Sequence, residues 1–134
     1  MHITLEADYA VRIVVYLAQR QETEHRRADA NTISENTGVS LRFALKILRN
    51  LVGCGIAKSF KGTQGGYELN KLPEDISLRD LLAAVEGEYV FSRCLGGADC
   101  SKPQNVSCKV QHVFREVSDL VKGKLESVTI ADLM

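Results

Sequence analysis

The chain has 134 residues, of which 45% are hydrophobic and 25% charged, and this composition predicts one folded domain, with at most a short appended element, rather than a disordered chain. No apolar run approaches the roughly 18 residues of a membrane-spanning helix, and no signal-peptide pattern is visible, so we expect a cytoplasmic protein without a membrane partner. The 17 basic and 17 acidic residues cancel, so net charge alone does not indicate a polyanionic ligand.

The first predicted element is a helix from Thr4 to about Arg20. Apolar side chains recur around much of its circumference, which predicts that the helix is buried. They are Leu5, Tyr9, Val11, Ile13, Val14, Tyr16 and Leu17. The following residues, 21–30, are polar and charged without periodicity, and we expect them to form a loop.

Residues 31–55 predict two helices joined by a tight turn. Thr32 is placed to cap the first helix, and Gly38 lies where a helix C-terminus favours a residue that tolerates positive φ. Ser40, two residues later, is placed to cap the second helix. Two helices separated by so short a turn form a helix-turn-helix motif.

The second helix of this motif has an apolar face and a basic face. Its apolar face consists of Ala44, Ile47, Leu48 and Leu51. Arg42, Lys46 and Arg49, at positions i, i+4 and i+7, form a basic stripe on the other face. Such a stripe is typical of a helix that contacts phosphates and base edges in the major groove of DNA.

A basic window surrounds this stripe. Residues 36–67 contain five basic residues and no Asp or Glu, so the window carries a charge of +5 and the remainder of the neutral chain −5. A local basic surface on a neutral chain indicates a polyanionic ligand that binds at one face. The alternative is that these charges form an ordinary solvated surface.

A β-hairpin is predicted directly after the helix-turn-helix. Residues 56–60 and 67–69 are strand-like runs, and the glycine-rich sequence between them supplies the backbone conformations of a hairpin tip. A basic hairpin in this position is a wing, a second DNA-contacting element. The predicted contacts with double-stranded DNA are Ser40, Arg42, Lys46, Arg49, Lys58, Lys61, Thr63 and Gln64.

A cysteine-bearing loop lies in the second half of the chain. Cys94, Cys100 and Cys108 fall within fifteen residues, among small and polar residues that cannot form a core. Thiolates on such a loop can bind a soft metal or an iron–sulfur cluster. Zinc, a reversible disulfide and inert half-buried thiols are the alternatives. The fourth cysteine, Cys54, is predicted to be a small core residue.

Two helices flank this loop. Ser77 is placed to cap the first, at residues 78–86, and Gly87 to end it. The second runs from about Lys109 to Glu126 and has one apolar stripe. This stripe consists of Val110, Val113, Phe114, Val117, Leu120, Val121 and Leu125. No later element is predicted to cover the stripe, which favours pairing with a second copy of the chain over packing on the chain's own head.

Together these features resemble the Rrf2 family of bacterial transcription regulators, which includes nitric-oxide-sensing and iron–sulfur-biogenesis repressors. The resemblance covers nearly the whole chain. It is carried by the first helix with its run from Asp8 to Arg12, the turn from Thr37 to Ser40, the wing from Ser59 to Leu69 and the last residues, Thr129 to Leu133.

The resemblance implies a mainly α fold with a small β wing. A winged helix-turn-helix head would occupy residues 1–86, a cysteine-bearing sensor loop residues 87–108, and a long dimerisation helix with its tail residues 109–134. The implied function is that of a homodimeric transcriptional regulator, a repressor, which binds a palindromic operator in double-stranded DNA. Neither enzymatic activity nor a small-molecule substrate is expected.

The resemblance also implies an iron–sulfur cluster, 2Fe-2S or 4Fe-4S, on Cys94, Cys100 and Cys108, through which the protein would sense nitric oxide, iron or redox state. Asp8 stands where nitric-oxide-sensing members supply a fourth ligand across the dimer, and His112 is the alternative ligand. The seven residues between Cys100 and Cys108 form a longer gap than in better-known cluster sensors. Some members have no cluster, and regulation by thiol oxidation or a protein partner is the corresponding alternative.

Overall fold

The structure is a computed structural model that describes residues 2–96 and 108–134. Its α-helices are α1 (Leu5–Gln21), α2 (Ala30–Thr37), α3 (Leu41–Gly53), α4 (Leu78–Glu86) and α5 (Lys109–Ser127). Its strands are β1 (Ala57–Phe60) and β2 (Gly66–Leu69). Short 3₁₀ turns lie at Pro73–Asp75, Arg93–Leu95 and Ile130–Leu133. No helix within these two ranges is long and apolar enough to cross a membrane.

Helix α1 contributes several of the largest side chains of the core. Ile13, Val14 and Leu17 are completely buried, as predicted, and belong to one cluster with the apolar face of α3. The sequence predicts that Leu5 is buried as well, but this side chain is 58% exposed. That prediction is wrong because the buried face of α1 passes through Ala7. Successive residues are about 100° apart around a helix, so Leu5 lies about 200° from this face.

Helices α2 and α3 form the predicted helix-turn-helix. Gly38 ends α2 with a φ of 71°, and Ser40 Oγ accepts a hydrogen bond from the Phe43 amide at the start of α3. The cap of α2 is Asp29, whose Oδ1 accepts a hydrogen bond from the Thr32 amide at 2.7 Å. The prediction that Thr32 caps this helix is therefore wrong. The hydrogen bond from Thr32 is the main cause that lowers the pKa of Asp29, because it stabilises the charged carboxylate.

The wing is an antiparallel hairpin that is attached to the loop before α2. Ala57 lies opposite Leu69 in the hairpin. Ala28 and Tyr67 exchange two backbone hydrogen bonds, at 3.0 and 2.8 Å. Gly66 has a φ of 135°, and a Cβ atom there would lie 2.7 Å from the Ala28 carbonyl group. A glycine at this position therefore allows the loop to approach β2 and fix the wing.

The chain returns to the head after α5. Ile130 is completely buried, and its amide donates a hydrogen bond to the Ile76 carbonyl at 2.9 Å. The Leu78 amide donates to the Val128 carbonyl at 2.8 Å. These contacts attach the C-terminal end of α5 to the head beside α1 and α4.

Replacement of Ile130 by Ala should lower the free energy of unfolding by about 2–5 kcal/mol, because it leaves a cavity where a fully buried side chain lies. Leu133→Ala, at a residue of the same turn that is 40% exposed, is the matched control and should have a much smaller effect. Urea denaturation followed by circular dichroism measures both. Equal effects of the two substitutions would contradict the docked position of this turn.

The apolar stripe of α5 is covered along one side and open along the other. On one face Phe114 is half-buried, and its ring meets that of Phe91 edge-on at a centroid distance of 5.2 Å. The same helix also packs against α4. The other face remains open in the single chain: Val110 and Val113 are each 54% exposed, and Leu120 is 75% exposed. Packing on the chain's own head therefore covers only one side of the stripe.

Candidate nucleic-acid interface and cysteine site

The three residues of the basic stripe lie on the exposed face of α3. Arg42, Lys46 and Arg49 are all exposed, whereas the apolar residues on the opposite face are completely buried. Ser40 is exposed at the N-terminus of the same helix, where backbone N–H groups favour an anion such as a phosphate. The structure therefore brings the four predicted α3 contacts onto one accessible surface.

An acidic residue from α1 enters this surface. Glu6 Oε2 lies 2.6 Å from Lys46 Nζ, and the two side chains are 21% and 61% exposed. The basic stripe of α3 therefore lacks acids in its own sequence but has Glu6 beside it in space. Forty residues separate this pair, and no local pattern in the sequence indicates the contact.

The predicted wing residues are also accessible. Lys58, Lys61, Thr63 and Gln64 are all exposed. Lys58 lies opposite Glu68 in the hairpin register, and the Gln64 carbonyl accepts a hydrogen bond from Arg27 at 3.5 Å. The wing thus presents its basic and polar side chains to solvent beside the helix-turn-helix.

Sequence reasoning missed the residue that fixes the wing, Arg27. Its guanidinium group lies 3.5 Å from the centroid of the Phe60 ring, and its Nε lies 3.6 Å from a carboxylate oxygen of Glu68. Cation–π contact and ion pairing together restrain β1 and β2 relative to the loop before α2. A cluster of basic residues in this loop, which includes the exposed His25 and Arg26, was the available signal.

Three apolar side chains share the outward side of α3 with the basic stripe. Leu41, Phe43 and Leu45 are 39%, 38% and 41% exposed. The ring of Phe43 meets that of Tyr9 edge-on at a centroid distance of 5.7 Å, which fixes its orientation. In a major groove such side chains can contact thymine methyl groups.

The predicted fourth ligand, Asp8, lies on the exposed side of α1. Its Oδ2 accepts a hydrogen bond from Arg12 Nη2 at 2.9 Å. Arg12 Nη1 also donates to the carbonyl of Thr37, the last residue of α2, at 3.2 Å. Asp8 is therefore linked through one guanidinium group to the turn between α2 and α3.

Two of the three loop cysteines lie next to α5. Cys94 lies in the 3₁₀ turn Arg93–Leu95, and its Sγ is 3.2 Å from Ser92 Oγ. This turn packs against α5. Cys108 immediately precedes α5, and its carbonyl accepts a hydrogen bond from the amide of the exposed His112 at 3.2 Å. Cys100 lies outside the described residues.

The described residues contain two of the three thiols that the sequence predicts as metal ligands. Within residues 2–96 and 108–134, no three His, Cys, Asp or Glu side chains are close enough together to bind a metal ion. A site there would need Cys100 as its third thiolate. The half-buried Cys94 and Cys108 are soft donors of the type that an iron–sulfur cluster requires. Asp8 does not join them within one chain, so ligation by Asp8 would require a second chain.

The prediction that Cys54 is a core residue is wrong. Cys54 is exposed at the C-terminus of α3, and its Sγ donates a hydrogen bond to the Leu51 carbonyl at 3.4 Å. The helix ends here, and the chain turns through Gly55, which has a φ of 78°, into the buried Ile56. Apolar neighbours in sequence were therefore a poor guide to burial at this position.

The chain matches the family model Rrf2, described as an iron-dependent transcriptional regulator, over residues 3–134. The protein belongs to the Rrf2 family. Relatives of this Rrf2 chain include the HTH-type transcriptional regulator IscR of Photobacterium profundum, which is 30% identical over 100% of this chain and 76% of its own length. The HTH-type transcriptional regulator NsrR of Shouchella clausii is 25% identical over 100% of this chain and 89% of its own.

Solved structures of Rrf2 regulators have the same fold. T. potens IscR matches with a TM-score of 0.78 at 26% identity, over 99% of this chain and 85% of its own. CymR, the global cysteine regulator of B. subtilis, matches with a TM-score of 0.78 at 22% identity, over 99% of this chain and 95% of its own, and this likeness shows the fold alone. The predicted mainly α fold with a small β wing is confirmed. The chain is a transcriptional regulator rather than an enzyme.

Proposed function

We propose that this Rrf2 regulator is a homodimer that binds a palindromic operator in double-stranded DNA and represses transcription there. Residues 1–86 would form the DNA-binding head, residues 87–108 the sensor loop, and residues 109–134 the dimerisation helix with its tail. The observation that carries the proposal is the exposed basic stripe on α3 beside an exposed wing. A cytoplasmic location and the lack of a small-molecule substrate are parts of the same proposal.

Helix α3 would read the operator in the major groove. Arg42, Lys46 and Arg49 would contact phosphates and guanine edges, and Ser40 would contact a phosphate at the start of the helix. Lys58, Lys61, Thr63 and Gln64 of the wing would contact the adjacent backbone. The exposure of all eight side chains supports this assignment.

The open apolar face of α5 supports the dimer. Val110, Val113 and Leu120 recur at i, i+3 and i+10, which is the spacing of a helix that pairs with a second helix. A two-fold pair of α5 helices would hold two α3 helices at a fixed separation. A palindromic operator requires this, because its half-sites lie about 34 Å or a multiple of that distance apart.

Signal sensing would take place at the cysteine loop. Cys94, Cys100 and Cys108 would bind an iron–sulfur cluster, with Asp8 of the second chain or His112 as the fourth ligand. When bound, the cluster would react with nitric oxide or oxidants, or its occupancy would follow the supply of iron. The donor set, the family's description as iron-dependent and the similarity to regulators named IscR and NsrR support this reading. The alternative is the same fold without a cluster, regulated by thiol oxidation or a protein partner.

The link between Asp8 and the helix-turn-helix supports its role in signalling. Arg12 bridges the Asp8 carboxylate and the Thr37 carbonyl. A change in the charge around Asp8 would therefore alter the position of Arg12 beside the turn that precedes α3. Asp8→Ala should have a milder effect than loss of a loop cysteine, because it removes one ligand of four and leaves all the thiolates in place.

The Arg42/Lys46/Arg49 triple alanine variant tests the DNA-binding assignment. Each phosphate-contacting Lys or Arg that is lost should reduce the slope of log affinity against log salt by about one unit, so the triple variant should lose about two to three units. Fluorescence anisotropy against an operator selected from random duplexes measures this slope. Lys71→Ala, at an exposed residue outside the helix-turn-helix and the wing, is the control. Unchanged operator affinity in the triple variant would refute the assignment.

A further inference from the structure

Glu6 is placed unlike the other acidic residues near the DNA-binding surface. It lies in the first turn of α1, and its carboxylate contacts Lys46 in the middle of the basic stripe. In the part of the chain that the structure describes, Arg42 and Arg49 make no such ion pair. One of the three stripe cations is therefore occupied within the protein itself, and the other two face solvent.

The position of Glu6 is fixed more firmly than that of Lys46. The backbone of α1 is held beside α3 by the contact between Tyr9 and Phe43, and the Thr4 amide donates a hydrogen bond to Glu86 at 3.0 Å. The Glu6 side chain is 21% exposed and that of Lys46 61% exposed. Because lysine has a long flexible stem, Lys46 can turn toward a DNA phosphate, whereas Glu6 stays beside α3.

We propose that Glu6 competes with DNA phosphate for Lys46 and thereby weakens binding to DNA of any sequence. This inference rests on the proposed function, since it requires that α3 binds DNA. In the free protein the Glu6 carboxylate occupies Lys46, as a phosphate would in the complex. DNA binding must break this ion pair and leave a carboxylate near the phosphate backbone.

The consequence concerns how much of the regulator is bound to non-specific DNA. Non-specific binding depends almost entirely on phosphate contacts, and non-specific sites greatly outnumber operators in a genome. A carboxylate that weakens one phosphate contact lowers occupancy at these competing sites. Binding at the operator retains the base contacts that non-specific sites lack. Glu6 therefore limits the time that the regulator spends on irrelevant DNA.

Glu6→Gln tests the proposal without knowledge of the operator. The probe is a fluorescent duplex of mixed sequence, about three helical turns long, titrated at several KCl concentrations. We expect about two- to tenfold tighter binding at low salt, the scale of an exposed ion pair together with removal of the facing charge. The salt slope should become steeper, because Lys46 then binds phosphate without displacing a carboxylate.

Glu22→Gln is the matched control for net charge. Glu22 is exposed at the other end of α1, about 24 Å along the helix axis from Glu6 at 1.5 Å per residue. This variant changes the charge of the protein by the same amount but removes no carboxylate from the DNA-binding surface. Its affinity for the mixed-sequence duplex should remain close to that of the wild type. An equal gain in both variants would overturn the proposal.

A double-mutant cycle shows whether Glu6 acts through Lys46. Lys46→Ala alone should weaken DNA binding. In the Lys46→Ala background, Glu6→Gln should raise DNA affinity much less than it does in the wild type. An equal increase in DNA affinity in both backgrounds would mean that Glu6 repels DNA through its electrostatic field and not through Lys46. That result would overturn the proposal. A loss of folded structure in Glu6→Gln would weaken binding instead of strengthening it.

The outcomes also separate this inference from the proposed function. If the Arg42/Lys46/Arg49 variant loses DNA affinity and Glu6→Gln binds like the wild type, only the competition between Glu6 and phosphate is refuted. If the wild type binds neither mixed-sequence nor selected duplexes, both the proposed function and the inference fail.

Discussion

Leu120→Asp should convert the regulator to a monomer and abolish binding to its operator. Leu120 is the most exposed large apolar side chain of α5, at 75%, so the substitution leaves the fold of the single chain intact. In a two-fold dimer the change occurs twice. Loss of about 1.5–3 kcal/mol of apolar burial at each copy, together with burial of two charges, should weaken dimerisation by more than about a hundredfold.

Loss of operator binding should follow because one monomer contacts only one half-site. Multi-angle light scattering at micromolar concentration measures the assembly state, and anisotropy measures operator affinity. Leu72→Asp is the matched control, since it makes the same substitution at a residue that is 56% exposed outside α5. A wild type that is monomeric at this concentration, or a Leu120→Asp variant that remains dimeric, would refute the assignment of this face.

The elements that the sequence predicts well are those specified by local signals. Ser40 and Gly38 lie where a helix cap and a helix end were predicted, and Ser77 caps α4 through a reciprocal arrangement with Asp80. Each of these signals depends on residues within three or four positions. The signals that predict the wing are equally local, because glycines between two strand-like runs specify a hairpin.

The predictions that failed required knowledge of neighbours in space. Asp29 and Thr32 both have the chemistry of a cap, and only the path of the preceding loop against Tyr67 decides between them. The exposure of Leu5 and Cys54 depends on which elements cover each helix. Periodicity shows where apolar residues lie on a helix, but not which of them a neighbour covers.

The candidate site shows the same division. The eight predicted DNA contacts follow from spacing and charge, and all of them are accessible. Glu6 and Arg27 could not be assigned in this way, because Glu6 reaches Lys46 across forty residues and Arg27 reaches Phe60 across the loop before α2 and the helix-turn-helix. Long-range contacts of this kind are products of the tertiary fold and leave no periodic signal in one sequence.

The first turn of α1 contacts both the end of α4, which precedes the proposed sensor loop, and the proposed DNA-binding helix α3. Thr4 donates hydrogen bonds from both its amide and its hydroxyl to Glu86, the last residue of α4 before the loop. Two residues further on, Glu6 contacts Lys46. A displacement of the loop start at Glu86 would therefore act on α1 at its cap and on α3 through a neighbouring residue. This is a contiguous path of hydrogen bonds and packed helices between the proposed sensor and the proposed DNA contacts.

Replacement of any loop cysteine by Ala should remove the proposed cluster and change operator affinity. Each of the three loop cysteines, Cys94, Cys100 and Cys108, is proposed to supply one thiolate ligand. Loss of any one of them therefore leaves only two thiolates for the cluster. Binding energy at the loop can shift DNA affinity by the usual range of coupling free energies, about 1–3 kcal/mol or 5- to 150-fold. Iron and acid-labile sulfide in anaerobically purified protein, measured beside operator affinity, test this prediction. Dimerisation through α5 should be unaffected.

Cys54→Ala is the matched control for these variants. Cys54 is an exposed thiol outside the loop, so its loss should change neither the iron content nor the response of operator affinity to oxidants. If the wild type contains no iron, yet Cys100→Ala alone loses a redox-dependent change in affinity, the loop acts through thiol oxidation. If Cys100→Ala binds DNA like an iron-free wild type under reducing and oxidising conditions, the loop is not the sensor. The winged helix-turn-helix would then need its signal from a partner protein, because the DNA-binding surface and the α5 face do not depend on the cysteines.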